Sequence, residues 1–415
     1  MGPMLIFDKS ALQALSLDEA VLANQFFMAN ITPLLYVETL ADLSKPAQRR
    51  RSADDIVSDV AGKTPIMSAF PNVPHSELVL ADLRGTSISM TNRPVILRGE
   101  VRRGPDGMLG EHFDQFPEVA ALERWHRGAF DEVERLFARQ WRTQLSSLNH
   151  DAAVAMAKNT VPEGTRLTTL QEVKTFVDSA ADSREPAILQ LAMELLEVDP
   201  QSRLEIAARH QSLARPTLRE FAPYAAFVFR VDLFFYLSVA SSLISGERPS
   251  NRVDIAYLYY LPFCHVFVSN DKLHARTAPL FMEQGQVFVE GVKLKAGFAE
   301  ITEHYSAFQA EIEKIGLVAF ARCPPKTQTN SVTELWDTFQ PGWQMRDHDG
   351  AVAAEAEGAT GKVTELQRHI AQAEPITEAI DPDSVDYALI TRVVPMRRGR
   401  WKILPDEAAG HNREN

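Results

Sequence analysis

The sequence predicts an α/β protein built on a short parallel sheet. Two observations carry this. An apolar run at 5–7 ends in an acid, Asp8, and leads into a helical stretch. A second apolar run at 264–268 ends the same way, at Ser269-Asn270-Asp271, and again a helical stretch follows. Strand then helix, repeated, is the order of a βα unit, and such units build parallel sheets.

The elements follow in order. Residues 5–7 form the first strand. Ser16 caps the next helix and Glu19, three residues on, completes a capping box. That helix runs through Phe26 and Phe27. Asn30-Ile31-Thr32-Pro33 breaks the chain, and an apolar helix follows that carries Glu38 and, one turn later, Asp42. From about 46 to 115 the pattern loosens. Residues 78–83 and 94–101 read as strands or loops, and Pro105-Asp106-Gly107 as a turn. Helical periodicity returns from about 115, with Val119, Leu122, Trp125, Phe130, Val133, Leu136, Phe137 and Trp141. It continues to about 246, with breaks at Pro162-Glu163-Gly164 and Asp199-Pro200. Regular α/β order resumes after Gly246: a loop at 249–251, a short helix at 254–260, the strand at 264–268, another at 287–289, and a helix through Ile312. Beyond 340 the chain turns polar. Residues 350–374 read as a solvated helix or linker, and 387–404 as a terminal hairpin or basic tail. The expected organisation is a core in two parts, 1–45 and 249–340, a mostly helical insertion at 46–248, and a polar extension at 341–415.

Composition bounds the function. At 45% hydrophobic and 24% charged residues, the chain is that of an ordinary folded globular protein. Two cysteines, Cys264 and Cys323, have no pairing logic and read as reduced thiols in a cytoplasmic protein. No stretch approaches the roughly 20 apolar residues of a membrane span. The best candidate, 227–244, is interrupted by Arg230 and Asp232, so no membrane partner is expected. The net charge of −12 argues against a large duplex-coating surface. Basic residues concentrate locally, at 49–51, at Arg102-Arg103 and around Arg397, Arg398, Arg400 and Lys402, where Trp401 is the one aromatic beside them. Other chemistries find no support. Residues 358–362 lack the phosphate-loop spacing and have Val363 where Ser or Thr is required. No paired histidines or cysteines have zinc spacing, and no Gly-x-Ser-x-Gly elbow appears.

The acids carry the chemistry. In open parallel sheets, ligands bind outside the carboxyl ends of the strands. Asp8 and Asp271 each end a strand, so one shared sheet edge would bring them together. Asp254 leads the short helix feeding the second strand, where the helix dipole favours an acid. Glu38 lies on the early helix. Clustered carboxylates repel unless a cation neutralises them, and oxygen-only ligation suits Mg²⁺ or Mn²⁺. Such ions activate water and stabilise charge in phosphodiester displacement.

These segments resemble the opening and closing motifs of the PIN-like nuclease domains. The matching residues are Asp8 with Ser10 after it, Glu38, Asp254, and Ser269-Asn270-Asp271. The resemblance covers roughly 4–45 and 250–315. It implies a three-layer α/β/α sandwich and an endonuclease cutting RNA, with single-stranded RNA as the partner. Asp8, Glu38, Asp254 and Asp271 would be the catalytic metal ligands. Ser10, Asp42, Ser269 and Asn270 would support them, and Lys272 and His274 would contact substrate phosphate. The stretch between Glu38 and Asp254, far longer than in compact members, and the C-terminal extension depart from the family pattern. A DNA nuclease on the same core, a non-cleaving scaffold, and an unrelated α/β protein whose acids merely cap helices are the rivals. A homodimer contact and a regulatory protein partner are further expectations.

Overall fold

The computed structural model describes residues 2–46, 51–105, 107–147, 150–345, 372–376 and 385–406. Strands β1 (Met4–Phe7), β2 (Met28–Ile31), β3 (Ala69–Pro71), β6 (Val266–Ser269) and β7 (Val287–Glu290) form one sheet in the order β3-β2-β1-β6-β7. Every pairing in it is parallel. A smaller sheet, in the order β8-β4-β5-β9, joins β4 (Glu100–Arg103) and β5 (Leu109–Phe113) to β8 (Glu374–Pro375) and β9 (Tyr387–Ile390). β10 (Arg397–Arg398) and β11 (Trp401–Lys402) form an antiparallel pair. The α/β class and the parallel sheet are as the sequence predicts, and the helices around the sheet are compatible with three layers.

Parallel neighbours need crossover connections, usually helical. Lys9–Ala14 and Leu17–Phe26 connect β1 to β2, Pro33–Ala41 and Ala53–Lys63 lie between β2 and β3, and Lys272–Phe281 connects β6 to β7. The central strand is buried on both faces: Leu5 and Ile6 have no exposed surface. The Ser16–Glu19 capping box forms, with Ser16 N–H donating to the Glu19 carboxylate at 2.6 Å and Glu19 N–H to the Ser16 hydroxyl at 3.2 Å.

Several elements differ from expectation. Residues 28–31 are a strand, where the sequence reads a break beginning at Asn30. Thr32 caps the next helix and Pro33 starts it, so strand end and helix start fall on adjacent residues. Residues 78–83 lie inside the helix His75–Arg84. Leu78, Val79, Asp82 and Leu83 form its buried side, and Gly85 ends it at φ +103°. Around Asp254 the helix starts earlier, spanning Ser250–Ala256, and a 3₁₀ segment, Tyr257–Phe263, follows. The span 46–248 contributes β3 to the main sheet, besides its helices. Pro105 and Gly107 do turn the chain, closed by a Gly107 N–H to Gly104 carbonyl bond of 2.9 Å. Arg49, Arg50 and residues 350–371 lie outside the described residues.

The helix Pro223–Ala240 is long and apolar enough to cross a membrane by length and composition, yet 83% of it is buried within the protein. Its charged residues are paired. Arg230 donates to Asp178 at 2.9 Å, and Asp232 accepts from Arg252 and from the Tyr259 hydroxyl.

Candidate active site

The strand registers fix the layout of the sheet's carboxyl edge. Phe7 pairs with Val268, and the Asp8 N–H donates to the Val268 carbonyl at 3.0 Å. Asp8 and Ser269 are therefore level on neighbouring strands, and Asp271 lies two residues further on.

Asp8 is 4% exposed. Its Oδ1 accepts from the Ala11 N–H at 2.8 Å, capping the helix Lys9–Ala14. The Ser10 hydroxyl donates to Oδ2 at 2.7 Å, and so does the Ser269 hydroxyl, also at 2.7 Å. Asp271 caps the helix Lys272–Phe281, its Oδ1 accepting from the Leu273 N–H at 2.5 Å. Both acids thus cap helices as well as sharing one edge. The capping role does not extend to Asp254, which lies inside its helix, with Pro249 at the cap position.

Ser269 is the hub. Its Oγ lies 2.7 Å from Asp8 Oδ2, 2.8 Å from His274 Nδ1 and 2.9 Å from the Asp271 nitrogen. A hydroxyl has one proton to donate. An ionised Asp8 only accepts, so Ser269 donates to it and accepts from Asp271 N–H and His274 Nδ1–H. His274 Nε2 faces the Asp254 carbonyl at 2.7 Å, and a carbonyl also only accepts. The inventory therefore protonates both ring nitrogens and makes His274 an imidazolium. Its Nδ1 lies 3.5 Å from Asp8 Oδ2, with the Ser269 hydroxyl as the closer bridge. Burial alone would push the two groups toward their neutral forms. The charge of each partner wins instead, so Asp8 sits below the usual carboxylate range and His274 above the usual imidazole range.

Glu38 projects from the helix Pro33–Ala41. Tyr257 donates its hydroxyl to Glu38 Oε2 at 2.6 Å. Burial pushes Glu38 up, and Asp8 and Asp42 add to this against the pull of Lys9 and Tyr257. Asp254 is pushed up to about 7, by burial first and then by the charges of Glu38, Asp271 and Asp8, with His274 opposing. Four acids from four separate segments thus act on one another. No hydrogen bond reaches the Asp254 carboxylate from the described residues. Lys9 donates to the Glu38 carbonyl at 3.0 Å and pairs with Asp42 at 2.6 Å.

The supporting residues divide. Ser10 and Ser269 hold Asp8. Asp42 is buried between Lys9 and Lys45, 2.6 Å from each. The Asn270 side chain is tied to the head of the helix Gly291–Ser306, its Oδ1 accepting from the Val292 N–H at 3.0 Å. Lys272 is exposed beside Asp271. His274, expected at phosphate, is 1% exposed, its ring held between the Ser269 hydroxyl and the Asp254 carbonyl and closed to a substrate phosphate. Its spacing after Asp271 puts it on the buried side of the helix, which no local sequence signal marks. Tyr257 and Lys9 are the residues sequence reasoning missed. Lys9 had adjacency to Asp8 as a clue; Tyr257 had none.

The donor set is chemically suited to a hard divalent cation: carboxylate oxygens, mutual repulsion and one carboxylate with no donor. Among the described residues, no three carboxylate, imidazole or thiol side chains are grouped closely enough to hold an ion as placed.

In the C-terminal basic stretch the charges are paired within the chain. Arg397 pairs with Glu313, Arg400 with Asp18 and Lys402 with Asp406. Trp401 is fully buried, its indole N–H donating to the Asp18 carbonyl at 3.1 Å, so it offers no face for stacking. Of the three helical aromatics, Trp125 is fully buried, while Phe137 and Trp141 stack on each other at 6.2 Å and are partly buried.

Comparison of the chain with protein-family models, with curated proteins and with solved structures gives no match in any of the three. The class supported by the molecule itself is an α/β protein with Asp8 and Asp271 at the carboxyl edge of a parallel sheet and with Glu38 and Asp254 within electrostatic reach of them.

Proposed function

We propose that this chain is a PIN-like, metal-dependent endonuclease that hydrolyses phosphodiester bonds in RNA. The observation that supports it most is that Asp8 and Ser269 stand level at the carboxyl edge of the sheet with Asp271 two residues on. Asp254 feels these acids, pushed up to about 7 by burial first and then by the charges of Glu38, Asp271 and Asp8. Acids that only capped helices would have no reason to crowd one another.

Asp8, Glu38, Asp254 and Asp271 would hold Mg²⁺ or Mn²⁺. When bound, the ion supplies Lewis-acid activation of water and neutralises charge that develops at the phosphorus. The chain's own residues prepare the acids for it. Ser269, Ser10 and the Ala11 N–H fix Asp8 in one rotamer. The buried His274 cation keeps Asp8 ionised. Tyr257 orients Glu38, and Lys9 ties the Glu38 helix to the first βα turn. Lys272, exposed next to Asp271, would meet a substrate phosphate.

The test is cleavage of labelled single-stranded RNA and DNA in Mn²⁺, Mg²⁺ or EDTA, with wild type beside the Asp8→Asn/Asp271→Asn double variant. Metal-dependent cutting that vanishes in the double variant is expected, with RNA preferred. Cutting of DNA alone would reassign the substrate. No cutting of either polymer, with no metal-induced rise in Tm, would leave a non-cleaving scaffold.

A further inference from the structure

Away from the carboxylates, the same sheet edge carries a second feature. A cavity of about 230 Å³ opens where β2 and β3 end. Pro33, Pro71, Pro117, Tyr36, Asn72 and Glu118 line it. Asn72 is 4% exposed, and neither its Oδ1 nor its Nδ2 has a hydrogen-bond partner. A buried amide with both ends unpartnered is costly to the fold and calls for an explanation. Its backbone is fully used, the N–H donating to the Ile31 carbonyl at 3.0 Å.

The strand registers place this amide relative to the acids. Phe7 is level with Ile31 through the β1–β2 pairing, and Ile31 pairs with Pro71. Asp8 and Asn72 are therefore the next residues out on strands two apart, a separation of about 10 Å at ordinary strand spacing. Residues of the helix Pro33–Ala41 serve both places, Tyr36 at the cavity and Glu38 at the acids.

We propose that this cavity binds one nucleobase, adenine in preference, of a strand whose neighbouring phosphodiester lies at the carboxylates. The inference rests on the nuclease proposal for that last clause only. The cavity is smaller than a drug-sized site and suits a single ring system. Its walls are the flat apolar faces of prolines and of Tyr36, which is backed by Trp125 at 4.6 Å. The Asn72 amide offers one acceptor and two donors, the pairing set for the N6 and N7 of adenine. Glu118 selects further. Its carboxylate accepts from an exocyclic amine, which uracil lacks, and so disfavours uracil.

The experiment is titration of the full chain, in EDTA, with adenosine, cytidine, uridine and guanosine 5′-monophosphates, for wild type and Asn72→Leu. Adenosine monophosphate should bind best, and Asn72→Leu should weaken it about tenfold or more. Removing an unpartnered amide should leave Tm unchanged or higher. Asn72→Ser replaces the leucine variant if that fails to fold. No binding by wild type, or equal binding by the variant, overturns the proposal and leaves Asn72 as an amide met only by water. Cleavage of oligonucleotides with A or U beside the cut site separates the two proposals. Cutting with no base preference, unchanged by Asn72→Leu, sinks the base pocket and spares the nuclease. Absence of cutting, with Asn72-dependent nucleotide binding intact, sinks the nuclease and spares the pocket.

Discussion

Asp254 shows how a single residue senses the cluster. Its folded-state carboxyl titrates near 7, against an ordinary value of 3.8. The folded protein therefore binds a proton there that the unfolded chain has already lost, so stability falls as pH rises between those values. The stabilisation from protonation is full below about 3.8 and gone above about 7. Asp254→Asn removes the charge, so in EDTA at pH 8 it should be more stable than wild type, by on the order of a few kcal/mol. At pH 5, between the two values, the advantage should fall to less than half of that at pH 8. Thermal melts at the two pH values check this; equal differences at both would show that Asp254 does not feel its neighbours. Ser269 has the opposite sign. Ser269→Ala strips partners from Asp8, from His274 Nδ1 and from the Asp271 N–H, and should cost about 1–3 kcal/mol in urea unfolding. Of the residues at the site, the strand-ending acids and their hydroxyl neighbours were legible in the sequence. His274 was misplaced, because a one-dimensional pattern cannot say which side of a helix faces the acids.

At the scale of elements, two kinds of signal behaved differently. Caps were local and came through: Ser16 with Glu19 marks a helix start from four residues alone. The helix Pro223–Ala240 shows the limit. It is apolar nearly all round because it is surrounded, with Phe229, Phe234 and Leu233 fully buried. Phe234 meets Phe281 edge-on at 5.1 Å, tying this helix to the one that follows β6. Phe234→Ala should cost about 3–5 kcal/mol, read from the denaturation midpoint, because the space left cannot collapse. A cost under 1 kcal/mol would mean the two helices are not coupled. The turn after β7 is another narrow fit. A Cβ on Gly291 would come within 2.8 Å of both amide atoms of Asn270 and 3.0 Å of Ala11 Cβ. A side chain there would have to displace the Asn270 amide.

For the whole molecule, charge is the governing quantity. The chain carries −12 overall, and Lys9, Arg124, Arg230, Arg252 and Arg397 are among the cations held in ion pairs within it. A divalent cation at the carboxylates would relieve the repulsion that Asp254 feels from Glu38, Asp271 and Asp8. Mg²⁺ or Mn²⁺ should therefore raise wild-type Tm at pH 8. Binding linkage gives about 2.7 kcal/mol at a hundredfold excess over Kd. The rise should be smaller at pH 5, where protons compete for Asp254, and absent in Asp8→Asn/Asp271→Asn. EDTA should reverse it. A metal response that survives the double variant would place the ion elsewhere.

What the sequence by itself determined is whatever is written in short range. Apolar runs ending in acids marked β1 and β6, caps marked helix starts, and the order of the acids suggested a common edge. What only the tertiary structure decided depends on contacts between residues far apart. Strand order put β1 between β2 and β6, which makes Asp8 and Ser269 level. Residues 78–83 read as strand or loop from their apolar content but pack as a helix against the Pro223–Ala240 core. The Tyr257 hydroxyl reached Glu38 across the fold, and the ends of β2 and β3 enclosed the Asn72 amide. The physical reason is the same in each case. Periodicity and capping are properties of a few consecutive residues, whereas burial, charge coupling and hydrogen-bond partnership are set by which segments share a space.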